Sequence, residues 1–114
     1  MNPTTNGPRF LAYDRALEAL RMLRAPLGRI RGANRSLADQ LTRAASSVLL
    51  NLGEGAERRG ADRLHFYRIA AGSAAEVRSA LDAAEALGFV EAAEVAEARD
   101  RFDQVVRILR AITR

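Results

Sequence analysis

The sequence predicts an all-α protein, an antiparallel up-down-up-down four-helix bundle, and three observations carry that expectation. Apolar residues recur at steps of three and four through four long segments, which places each set on one face of a helix. Alanine is abundant and only six of the 114 residues are aromatic, a composition that favours helix over sheet. Turn-forming residues stand between the segments, and short connections make successive helices antiparallel neighbours. A chain of this length suits one hydrophobic core, so residues 10–114 read as a single domain. Residues 1–9, polar and carrying Pro3, Gly7 and Pro8, read as a flexible N-terminal arm.

The first helix is expected from near Tyr13, with Tyr13, Ala16, Leu20, Leu23, Leu27 and Ile30 on one stripe. Pro26 interrupts it, because proline lacks an N–H and its ring crowds the carbonyl four residues back, at Met22. A kink or an early end is therefore expected there. Gly32-Ala33-Asn34 reads as a turn, with Ser36 as the N-cap of the second helix. That helix carries Leu37, Leu41, Ala45, Val48 and Leu52 and should end near Glu57. Leu50 points almost opposite Leu41, so it is either a solitary exposed leucine or an oligomer contact.

Asp62 can cap the third helix, whose stripe is Phe66, Ile69, Ala70, Ser73, Val77, Leu81, Ala84 and Leu87, with Gly88 as its stop. Its middle, Ala70 to Ala75, is a run of small residues that would let a neighbouring helix approach closely at Gly72. The fourth helix should run from Glu91 to Ile112 through Val95, Ala98, Phe102, Val105 and Leu109, with Glu91 and Glu94 at the positive end of its dipole. Asp103 and Arg107 have ion-pair spacing on it.

The chain contains no cysteine, which excludes disulfides and thiolate metal sites, and no lysine, which excludes a Schiff base and a P-loop ammonium. One histidine, in Asp62-x-x-His65, cannot supply the two Glu-x-x-His motifs of a di-iron bundle. No Gly-x-Ser-x-Gly turn is present, and Gly53, Gly55 and Gly60 read as helix-end punctuation. The expectation is a non-enzymatic protein with no catalytic residue, metal or cofactor. Without a long apolar run or a secretory leader, a cytoplasmic location without membrane contact is expected.

All eighteen basic residues are arginine, and net charge is +4. Residues 1–63 hold eleven arginines against six acids, whereas 64–114 hold seven against eight. The basic half supplies candidate phosphate contacts in Arg29, Arg31, Arg35, Arg43, Arg58, Arg59 and Arg63. A solvated surface laced with ion pairs is the alternative. A polar line, Gln40, Ser47, Asn51 and Glu54, follows one flank of the second helix, and His65, Gly72 and Glu76 follow one flank of the third. If the flanks meet, they form a network whose members must satisfy one another or stay wet.

The stretch from Gln40 to Gly55 contains Ser-x-x-x-Asn-x-x-Glu-Gly, and the stretch from Phe66 to Glu76 contains Gly-Ser-x-x-Glu. In this combination, over Phe10 to Leu109, the chain resembles the bacterial four-helix bundle proteins related to those encoded in 23S ribosomal RNA intervening sequences. The resemblance implies a left-handed antiparallel bundle assembled as a homopentamer around a central channel, with Asn51, Glu54, Gly55, Ser73 and Glu76 at a helix junction or protomer contact. A more distant similarity, to the accessory protein of diversity-generating retroelements, implies binding of RNA or DNA and contact with a reverse transcriptase. A protein-binding scaffold without a nucleic-acid role is the competing expectation. Two departures, Gly53 where relatives often carry alanine and Pro26 in the first helix, put the helix ends there in question.

Overall fold

In a computed structural model, residues 7–114 are described, and among them the chain is all-α, with no strand. The five helices are α1 (Pro8–Met22), α2 (Arg24–Ala33), α3 (Arg35–Ala56), α4 (Gly60–Ala86) and α5 (Ala92–Ile112). Residues 1–6 of the expected arm lie outside the described residues. Pro8 and Arg9 form the first turn of α1, which starts five residues before Tyr13. Proline suits this position because its fixed φ is helical and the N–H it lacks would have no helical partner.

The expected first helix is divided in two. Met22 ends α1 and Arg24 begins α2, with Leu23 between them. The cause lies at Pro26: without an N–H it leaves the Met22 carbonyl unclaimed, and its ring displaces that carbonyl. Helical bonding resumes one residue on, where the Leu27 N–H donates to the Leu23 carbonyl at 2.8 Å. Of the expected stripe, Ala16, Leu23 and Ile30 are buried and Leu20 and Leu27 pack against the core, but α1 also buries Ala12 and Ala19, which the stripe omitted, and leaves Tyr13 outside. Tyr13 is 37% exposed, one position and about 100° from the buried alanine beside it.

Two expected caps are also replaced. Gly32 and Ala33 remain in α2, and Asn34 alone connects it to α3, accepting the Leu37 N–H on its side-chain oxygen at 2.9 Å. Ser36 therefore lies inside α3. Helix α4 starts at Gly60, before Asp62, which sits in the first turn where the dipole favours an acid. At its other end Gly88 adopts φ 79°, and the Phe89 N–H reaches back to the Ala84 carbonyl at 2.8 Å, a glycine-dependent stop. Glu91 and Glu94 close a reciprocal capping box on α5.

Leu41, Ala45, Val48 and Leu52 of α3 and Val95, Ala98, Phe102, Val105 and Leu109 of α5 are buried, as their spacing predicts. On α4 the buried set is Tyr67, Ala70, Ala71, Ala74, Val77, Leu81 and Ala84, while Ile69 and Leu87 are exposed, against expectation. Ile69 lies one residue beside buried Ala70, and Leu87 lies past the last helical residue.

Neighbouring helices run antiparallel, as their cross-links show. Arg15 meets Gln104 and Glu18 meets Arg101 between α1 and α5. Ser47 meets Ser73 between α3 and α4, while Arg68 reaches Thr113 and Arg78 reaches Asp103 between α4 and α5. Helix α3 also packs on α1 and α2, which closes the circuit. The molecule measures 42 × 23 × 22 Å, and α4, at about 1.5 Å per residue, spans nearly the whole long axis.

Candidate functional site

The polar flanks of α3 and α4 meet in part. Ser47 Oγ and Ser73 Oγ are 2.8 Å apart, and Asn51 Nδ2 donates to the Ser47 carbonyl at 2.8 Å and to Ser47 Oγ at 3.0 Å. These three side chains occupy the half-buried seam between the helices. Gln40, His65, Gly72 and Glu76 stay exposed beside it, and Glu54 pairs with Arg58 at 3.2 Å. The seam thus joins two helices of one protomer, with part of the motif turned outward.

The two motif glycines differ from expectation. A Cβ on Gly72 would meet nothing within 4 Å, so no helix of the same chain approaches it. A Cβ on Gly55 would lie 2.5 Å from Tyr67 Cε1 and 3.3 Å from Phe66 Cβ, so the close approach occurs there. Gly55 is buried inside α3 and is the floor against which the Tyr67 ring rests, not punctuation. Tyr67, only 2% exposed, escaped the apolar stripe because it sits one position from Phe66.

Six of the seven candidate arginines fall at two ends of the molecule, because α3, at about 1.5 Å per residue, holds its ends about 33 Å apart, and Arg43 lies near the middle of α3. At one end Arg29 pairs with Glu94, and Arg31 pairs with Asp39 at 2.8 Å. Arg35 is exposed there and Arg43 further along α3, both without an ion pair among the described residues. At the other end Arg58 lies 5.2 Å from the centroid of the Phe66 ring, besides its contact with Glu54. Arg63 donates to the Gly55 and Ala56 carbonyls at 3.2 and 3.3 Å, closing the C-terminus of α3. Arg59 is exposed.

The fold adds to this second end arginines that the sequence reading did not select. The start of α1 brings Arg9, the end of α5 brings Arg110 and Arg114, and Arg68 donates to the Thr113 carbonyl at 2.8 Å. Among the described residues none of Arg9, Arg59, Arg63, Arg68, Arg110 and Arg114 makes an ion pair. Phe10, Tyr13, Phe66 and Tyr67, four of the six aromatic residues, gather at the same end. Antiparallel topology is the signal that could have found this, since it sets residues near 9, 58, 63 and 110 side by side.

Two cavities open here, both lined by Tyr67. One, of about 190 Å³, is walled by Phe10, Tyr13, Gly53 and Tyr67, with Arg9 and Glu57 among its lining. The other, of about 260 Å³, is lined by Arg9, Arg63, Leu64, Tyr67 and Ile112. The groove between α4 and α5 is different in kind, because its arginines are already neutralised: Arg78 by Asp103, and Arg99 by Asp82 and Glu85 at 3.1 Å each. The α1–α5 clasp is likewise structural. A hydrogen bond from Arg101, joined by the charges of Arg15 and Arg101, holds the Glu18 carboxyl below the usual carboxylate range, against a smaller opposing effect of burial.

Among the described residues no group of three or more His, Asp or Glu side chains could hold a metal ion. No helix among them is long and apolar enough to cross a membrane.

An antiparallel circuit of helices, a serine–asparagine seam between α3 and α4, and an end dense in arginine and aromatic rings define a small all-α protein whose distinctive chemistry is on its surface. The chain belongs to the 23S rRNA-intervening sequence protein family, whose family model matches residues 29–111. The fold is also similar to the crystal structure of a protein of unknown function from the S23 ribosomal protein family of Bacteroides thetaiotaomicron VPI-5482, with a TM-score of 0.80. The two chains are 18% identical, and the match covers 90% of this chain and 98% of that one. No curated protein matches the chain.

Proposed function

We propose that the chain is a non-enzymatic four-helix bundle protein that assembles as a homopentamer and binds nucleic acid as an accessory factor. Because α1 and α2 are one helix broken at Pro26, the five helices count as four. The observation that carries the binding role is the convergence of Arg9, Arg59, Arg63, Arg68, Arg110 and Arg114 at one end without a carboxylate partner among the described residues. Unpaired guanidinium groups are suited to phosphate oxygens. The opposite end is a weaker candidate, since Arg29 and Arg31 are engaged by acids.

Self-association is supported by Leu50, which is 71% exposed on α3, with Ile69 and the uncovered Gly72 on the adjoining α4. The same apolar face supports the competing scaffold role, in which the partner is another protein, such as a reverse transcriptase.

Salt dependence tests the nucleic-acid role. Affinity for a labelled RNA or DNA should fall linearly with salt on logarithmic axes, because phosphate contacts release counterions. Replacing Arg9, Arg59 and Arg110 by serine should lower the slope by about 0.7–0.9 per phosphate contact removed, while Arg29→Ser should leave it unchanged. Salt-independent or absent binding rejects the role and leaves the scaffold.

A further inference from the structure

We infer that the cavity beside Tyr67 is a slot for one unstacked base of a single-stranded nucleic acid, with the neighbouring arginines holding the adjacent phosphates. This rests on the nucleic-acid role proposed above and names the form of nucleic acid recognised. Three features converge on it.

Two of its walls, Phe10 and Tyr13, are aromatic rings outside the buried core. Phe102 is fully buried in the bundle interior, whereas Tyr13 is 37% exposed at the cavity and Phe10 half-buried beside it. Aromatic faces at the edge of a basic surface stack with bases of any sequence, and duplexes keep those bases inside.

The volume is selective. At about 190 Å³ the cavity is smaller than the roughly 300–1,000 Å³ of sites that enclose a drug-sized ligand, so it suits one planar ring and not a whole cofactor. Glu57 in its lining can accept a hydrogen bond from an exocyclic amine, as carboxylates do from cytosine.

Charge is placed for the backbone that such a base must bring. Arg9 and Tyr67 line both this cavity and a second one, where Arg63 joins them. A base in the first cavity therefore sets its phosphate toward two guanidinium groups. Arg59, exposed at the start of α4, extends the track.

The test uses the full chain with short oligo(C), as RNA and as DNA, against a hairpin duplex of equal phosphate number. Gly53→Leu should plug the slot while the protein stays folded, because a Cβ there meets nothing within 4 Å. That variant and Tyr13→Ala should each weaken oligo(C) binding about 5- to 150-fold, the measured worth of one base–aromatic stack, and leave duplex binding within about twofold. The chain has no tryptophan and its two tyrosines both line the slot, so oligo(C) should quench the intrinsic tyrosine fluorescence and the duplex should not. Equal, salt-sensitive binding of oligo(C) and duplex, unchanged in both variants, overturns the slot while the basic end stands. No binding of either probe overturns both. A preference for the RNA or the DNA strand, with the variant losses intact, supports the slot and identifies the sugar it accepts.

Discussion

Gly53 and Gly55 are two residues apart on one helix, and nothing in their own chemistry tells them apart. What separates them is Tyr67, which arrives from α4 and occupies the space a Gly55 side chain would need. Gly55→Ala gains about 1 kcal/mol of helix propensity but must push a buried ring, an overpacking cost of about 1–3 kcal/mol, so a net loss of up to about 2 kcal/mol is expected. Gly53→Ala meets open space and should gain up to about 1 kcal/mol. Urea midpoints measure both. The attribution to Tyr67 has its own check in a double-mutant cycle: in a Tyr67→Leu background the Gly55→Ala penalty should shrink, and an unchanged penalty would place the conflict elsewhere.

At the scale of the helices, caps test the same distinction between local pattern and realised geometry. Asn34 Oδ1 accepts the Leu37 N–H, whereas Ser36, two residues further on, already lies inside α3 and is not its N-cap. Asn34→Ala should therefore cost about 1 kcal/mol and Ser36→Ala should lie within about 0.5 kcal/mol of the wild type, read from thermal or urea unfolding. Equal losses would return the cap to Ser36. Both residues are favoured at N-caps, so their order in the sequence could not decide between them. The helices themselves were legible where bulky residues mark the face, as in Leu41 to Leu52 and Val95 to Leu109. The face of helix α1 was legible only in part: Ala16 and Leu20 of its stripe meet the core, but buried Ala12 and Ala19 were missed, because alanine reads alike inside and outside. Pro26 announced a break, but its position at Leu23 follows from the carbonyl it displaces four residues earlier, at Met22.

Across the whole molecule, the basic bias of residues 1–63 was visible in the sequence, but the arrangement of its charges was not. Five of the seven candidate arginines lie away from this end or are bound to acids, and Arg9, Arg110 and Arg114 join Arg59 and Arg63 only because antiparallel helices return to the same place. The orientation of Leu50 was legible from helical angle alone, and its exposure gives the proposed pentamer a decisive test. Leu50→Arg touches little within the protomer, so its unfolding free energy should stay within about 0.5 kcal/mol. In solution, mass measured by light scattering should fall from five protomers to one, and Gly72→Leu, which fills uncovered space on the same side of α4, should do the same. Closed cyclic assembly repeats one contact and sets every arginine-rich end on the same rim. A long nucleic acid then engages several ends at once, and disassembly should weaken it by about 10²–10⁴ while leaving the affinity of a strand short enough for one end nearly unchanged. A full-mass Leu50→Arg assembly would remove this face from the contact, and an equal loss for long and short strands would show that each protomer binds alone.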